Sequence, residues 1–231
     1  MDATLSEGEK PILRGEAALA LATIINSFGV VLMLYSGSGI SAISSVPFAF
    51  SEVFPELSLG TWTYLFQGLL VLSLMVLRKR FVPQHLFSFV VGFVFGELLD
   101  IHELWVSILP NGLFWCVLYF VISYFLISFG IAWTLYLLEE SLALLFPTDL
   151  FPRELAQIIN VSYPRIKISF DVSCLAITAG MTFLFLGHLK GLGIGTILAA
   201  FTMGKVVGIL GGWLDHRVQF VSFLSRPCEN K

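Results

Sequence analysis

The sequence predicts an all-α, polytopic membrane protein of six transmembrane helices, arranged as two inverted three-helix repeats with proline-broken re-entrant or interfacial segments. Three observations predict it. Of the 231 residues, 57% are hydrophobic and 13% charged, where an average soluble domain has roughly 25% charged. The charges fall between apolar runs, several of which reach the roughly 20 residues that carry a helix across about 30 Å of hydrocarbon. The order of apolar and proline-containing segments also occurs twice along the chain.

The first span is Ala17 to Tyr35, free of charge, with Asn26 its only strongly polar side chain and the turn signal Ser36-Gly-Ser-Gly39 after it. Ile40 to Glu56 is apolar but interrupted by Pro47 and Pro55, which predicts a broken, re-entrant or interfacial piece. Leu57 to Leu77 is the second span, stopped by Arg78-Lys-Arg80. The third begins near Leu86 and meets Glu97, roughly 16 Å deep at 1.5 Å per residue, then Asp100, His102 and Glu103. The fourth runs from about Gly112 to Leu138 and ends at Glu139-Glu140. Ser141 to Pro164 again mixes apolar residues with prolines, Pro147, Pro152 and Pro164. Ile166 to Gly187 and Gly191 to Trp213 complete the six. The whole chain, 1–231, reads as one transmembrane domain, with repeats over about 17–106 and 112–214.

Basic residues set orientation in a membrane protein. With the N-terminus inside, the cytoplasmic side receives Lys10, Arg14, Arg78, Lys79, Arg80, Arg153, Arg165, Lys167, Arg217, Arg226 and Lys231, and only Lys190 falls outside. The expected location is therefore a bacterial cytoplasmic (inner) membrane, multi-pass, with both termini cytoplasmic. The start, Met1 to Arg14, lacks a small-residue cleavage site and does not read as a removed signal peptide. Cys116, Cys174 and Cys228 are isolated and suggest neither a disulfide framework nor a metal cluster.

The repeat is visible in particular residues. Ser27-Phe-Gly29 answers to Ser128-Phe-Gly130, Val46-Pro-Phe48 to Phe151-Pro-Arg153, and Gly92-x-x-x-Gly96 to Ala200-x-x-x-Gly204. Three spans per unit is an odd number, so the second copy enters from the opposite face. Inverted repeats are common in secondary transporters, where the site lies near the midplane between halves. Echoes of this kind also arise in any hydrophobic bundle.

At the paired prolines and the glycine-spaced spans, the chain resembles the bacterial YczE/YyaS/YitT family of membrane proteins. The likeness rests on Phe151-Pro-Arg-Glu154, on Gly191-Leu-Gly-Ile-Gly-Thr-Ile-Leu-Ala-Ala-Phe-Thr-Met-Gly204 and on Phe87-Ser-Phe-Val-Val-Gly-Phe-Val-Phe-Gly-Glu-Leu-Leu-Asp100, and covers roughly Gly29 to Trp213. This chain departs from the pattern by placing Glu97 and Lys205 after the span glycines, as a divergent member would. The resemblance implies a six-helix bundle with a transport role, and no substrate.

A charge at the centre of a bilayer costs about 2.5 to 3.5 kcal/mol on insertion scales, so Glu97, Asp171 and Lys205 need reasons to be there. Glu97 and Lys205 follow the matched glycines Gly96 and Gly204, and a pseudo-two-fold is expected to bring them face to face. Such a pair could bind a zwitterion or exchange a proton; it could equally be a structural ion pair. Asp100, one turn beyond Glu97, would make a carboxylate pair or an exposed helix end. Asp171 stands four residues after Lys167, as in an interfacial salt bridge. Pro47, Pro152, Arg153 and Glu154 mark the proline-broken segments as gate or loop. The glycines Gly204-x-x-x-Gly208-x-x-x-Gly212 form a ridge that would let a neighbouring helix approach closely.

Hydrolase and metalloprotease signatures are absent, so no enzyme, no cofactor and no metal is expected. No basic stripe suggests nucleic acid. The partners expected are the lipid bilayer and a small-molecule substrate, with a homo-oligomer left open. The leading reading is a small secondary transporter moving a small polar or charged metabolite, with proton coupling through Glu97, Asp100, Lys205 or Asp171. The rival is a non-transporting accessory membrane protein whose buried charges only stabilise the bundle.

Overall fold

A computed structural model describes residues 12–79, 83–138, 146–215 and 219–221. Lys10, Arg80, Glu139, Glu140, Arg217, Arg226, Lys231 and Cys228 lie outside the described residues. The chain folds almost wholly into helix. A short strand β1 (Ile12–Arg14) leads into α1 (Gly15–Tyr35), α2 (Ala42–Val53), α3 (Leu59–Arg78), α4 (Pro83–Val106), α5 (Leu113–Leu138), α6 (Pro147–Ile158), α7 (Tyr163–Leu186), α8 (Ile194–Asp215) and a strand β2 (Gln219–Val221). The two strands pair in parallel, Leu13 opposite Phe220.

Three of the helical stretches, Leu59–Arg78, Leu113–Thr134 and Arg165–Leu186, are long and apolar enough to cross a membrane. Large apolar side chains cover the outside, among them Val76, Leu104, Ile108, Leu113 and Leu184. Soluble monomers rarely expose apolar patches on that scale, whereas lipid accepts them.

Local rules explain the ends of the helices. Ser41 and Ser58 each occupy an N-cap, accepting from the backbone N–H of Ser44 and Thr61. Gly187 ends α7 with φ of 75°, a left-handed turn that only glycine adopts without strain. The two proline segments depart from expectation. Each is an unbroken 12-residue helix, with Pro47 inside α2 and Pro152 inside α6. Both prolines are buried, so the packing around them holds a helix that their missing N–H groups would otherwise weaken.

The helices assemble around a crossing of α1 and α5, which run antiparallel. Gly29 lies against Ile127 of α5, and Gly130 lies against Asn26 of α1. A β-carbon at either glycine would collide with its neighbour. α4 then packs on α1, and α8 on α5. Each short helix packs on a long helix distant in sequence, α2 on α7 and α6 on α3, and also on the helix that follows it, α3 and α7. α3 and α4 meet where Gly60 touches the backbone of Gly96, and no comparable packing joins α7 to α8 among the described residues.

The contacts also define two ends of the bundle. β1 and β2 mark the terminal end, where α3 finishes and α4 starts. At the turn end, the Tyr35 hydroxyl donates to the Leu109 carbonyl at 2.9 Å and that of Tyr119 to Pro110 at 3.0 Å. The loop after α1 rests there on the entry to α8: Gly195 donates its N–H to the Ser38 carbonyl at 2.7 Å, and Ile40 to Gly191 at 3.0 Å. The glycines of Gly191-x-Gly-x-Gly195 are thus explained by close backbone approach.

If the α1–α5 crossing holds the bundle together, Gly130→Leu should overpack it and cost about 1–3 kcal/mol. The same change at Gly180 of α7, where nothing lies within 4 Å, should leave stability nearly unchanged. Thermal unfolding of the two variants in detergent tests the contrast.

Candidate functional site

A buried polar cluster lies between α3, α4 and α6. On α4, His85, Ser88 and Gly92 recur at helical spacing and so share one face; His85 is 4% and Ser88 1% exposed. On α3, Gln67 is 2% exposed and its amide lies across Gly92, in space that any side chain there would fill. From α6, Glu154, 5% exposed, forms an ion pair with Arg78 at the end of α3. Its carboxylate is 4.0 Å from His85 Nε2. Arg78 also donates to Gln157 at 3.3 Å. Gln67 Oε1 and His85 Nδ1 have no hydrogen-bond partner among the described residues, which is costly for buried polar atoms. The cluster therefore runs from about the middle of α3 to the terminal end.

The turn end carries a second cross-linking pair. Lys190, just beyond α7, meets Glu52 of α2 at 2.6 Å. Next to it is a cavity of about 250 Å³ lined by Leu34, Phe48, Ser51, Glu52, Leu59 and Glu103, among others. Deeper along α2, Ser45 and Thr178 of α7 share a buried hydrogen bond of 2.8 Å.

The residues expected to form a midplane site are dispersed. Glu97 and Lys205 are both exposed and form no ion pair with each other. The reason is architectural: α4 packs on α3 and α1 while α8 packs on α5, and the charged residues sit on the outer face of each helix. Asp100 makes no pair with Glu97 either. It turns to the start of α3, accepting from the Ser58 hydroxyl at 2.5 Å and the Gly60 N–H at 2.7 Å, where a carboxylate favourably meets the helix dipole. Asp171 accepts from Lys167 at 3.3 Å in an i,i+4 salt bridge. Of the proline-segment residues, Glu154 enters the buried cluster, Arg153 beside it is half-buried, and Pro47 and Pro152 are packed inside their helices. The Gly208 and Gly212 positions of the small-residue ridge face open space, so no other helix among the described residues packs on them.

Gln67, His85 and Arg78 were missing from the expected site, although one signal pointed to the first. Gln67 is to the second apolar run what Asn26 is to the first, a lone amide. A second histidine pairing also escaped notice: His102 Nδ1 lies 3.1 Å from the Ser27 hydroxyl.

The family model described as "Family of unknown function (DUF6198)" matches residues 13–211. The chain belongs to the DUF6198 family. Nothing in that match links it to the YczE/YyaS/YitT proteins, and neither curated proteins nor solved structures yielded a match. The matched region of the DUF6198 chain runs from β1 into α8 and includes the cluster.

Glu154→Ala should leave Arg78 uncompensated next to buried atoms and cost about 3 kcal/mol, the low end for breaking a buried pair because Arg78 is partly exposed. Asp171→Asn should cost only about 0.3–0.5 kcal/mol, as for other i,i+4 pairs. Denaturation midpoints in detergent compare the two.

Proposed function

We propose that this DUF6198 chain is a small secondary transporter of a bacterial cytoplasmic membrane, crossing it six times in two inverted halves and moving a small polar solute. The observation that carries the reading is the exchange of short helices. α2 and α6 occupy matching places in the two halves, and each reaches a long helix of the opposite half, α7 and α3, while also packing on the helix that follows it, α3 and α7. Their ion pairs are exchanged as well, Glu52 with Lys190 and Glu154 with Arg78.

Further support comes from the reciprocal glycine contacts. Gly29 and Gly130 belong to the matched triplets, and each meets the other half one turn from its counterpart. A two-fold axis through the crossing would produce that reciprocity. The pairing of β1 with β2 brings residues 12–14 and 219–221 together, which favours an even number of crossings between them. The resemblance to the YczE/YyaS/YitT proteins, with the N-in, C-in orientation given by the basic residues, belongs to this same reading.

In mechanism, one cross-half ion pair at each end suits alternating access, since opening one side requires breaking one pair while the other holds. The Gln67, His85 and Glu154 cluster supplies polar groups that could replace water around a solute. The accessory reading retains one observation in its favour: Arg78 and Glu154 already satisfy each other in a closed cluster.

Two measurements separate these readings. Cysteines placed at 79 and 190, in a chain with Cys116, Cys174 and Cys228 changed to serine, should react with an impermeant thiol reagent from opposite sides of the membrane; labelling from one side defeats the inverted arrangement. In proteoliposomes, Glu154→Gln should slow uptake from a metabolite panel by at least roughly tenfold, the loss expected for a charge-assisted contact. Unchanged flux in a folded variant removes the cluster from transport.

A further inference from the structure

The outer faces of α4 and α8 carry the same pattern. Leu86, Val90, Glu97, Ile101 and Trp105 project from α4; Ile194, Leu198, Lys205, Ile209 and Trp213 project from α8 at the same spacing, and all ten are exposed. The stripes differ in sign at one position: an acid stands on α4 where a base stands on α8. No partner within the described chain meets either charge.

We propose that these stripes are the interface between two copies of this chain, in which Glu97 of each copy pairs with Lys205 of the other. Both charges sit in the middle of their helices, Glu97 roughly 21 Å and Lys205 roughly 15 Å from the helix end at the terminal end of the bundle. The long lysine side chain spans that difference. Unpaired, each would face hydrocarbon, where a charge is costly. A second copy related by a two-fold along the membrane normal brings α4 antiparallel to α8 and closes both pairs at once, a self-complementary contact.

Shape agrees with charge. With Glu97 opposite Lys205 in antiparallel register, Val90 and Val94 of one copy lie opposite Gly212 and Gly208 of the other, where the lone chain leaves open space. Large side chains entering gaps over glycine are how helices associate in lipid, which offers no hydrophobic drive between them. This pairing goes beyond the transport reading; it rests on that reading's placement of α4 and α8 across the membrane and not on transport itself.

Charge reversal tests the pairing. Wild type reconstituted in nanodiscs and weighed by native mass spectrometry should be dimeric. E97K alone and K205E alone should each lose at least roughly tenfold in self-association, because like charges then meet at both contacts. Mixing the E97K and K205E chains should restore a heterodimer, since every contact again joins opposite charges, and the double variant E97K/K205E should self-associate as wild type does. A monomeric wild type, single variants that dimerise normally, or a mixture that stays monomeric overturns the proposal. Recovery in the mixture also shows that the single variants are folded.

Discussion

The antiparallel crossing of α1 and α5 is the contact on which the other helices depend. Its closeness comes from two glycines, each of which admits a neighbour that any larger residue would exclude. In lipid, helices gain by van der Waals contact between closely approaching backbones rather than by leaving water, so a pair of glycines at the crossing does what a leucine core does in a soluble protein. α4 and α8 attach to the two flanks of this pair. The short helices then tie the outer long helices together.

Burial of polar groups follows from the same geometry. Asn26 lies on Gly130 and Gln67 on Gly92, so each amide occupies the space a glycine leaves on the facing helix. In both, the carboxamide oxygen has no partner among the described residues. Two lone amides, each in an otherwise apolar run and each set against a glycine, form a pattern that single-residue hydropathy does not register.

Much of the helix layout was legible from the sequence, because runs such as Leu57 to Leu77 and turn signals such as Ser36-Gly-Ser-Gly39 act locally. The prolines misled. Pro47 and Pro152 were expected to break their segments, but tertiary packing holds both inside continuous helices, an effect no local rule contains. The site was less legible still. Matching Glu97 to Lys205 rested on their places after the span glycines, which says nothing of contact, and both residues turn outward. Arg78 enters the sequence only as a topology marker and His85 carries no signal there; their association with Glu154 depends on how α6 crosses to α3, which sequence order does not reveal.

Two pairs of consecutive long helices differ at their seams. α3 is bound to α4 through Gly60, Gly96 and the Asp100 carboxylate, whereas among the described residues α8 has no such seam with α7 and leans on α5 and on the loop after α1. A bundle with one riveted pair and one unriveted pair has a built-in lever. α3 and α4 are coupled as a single slab, whereas α8 is tied at its entry by Gly195 and along its length by α5.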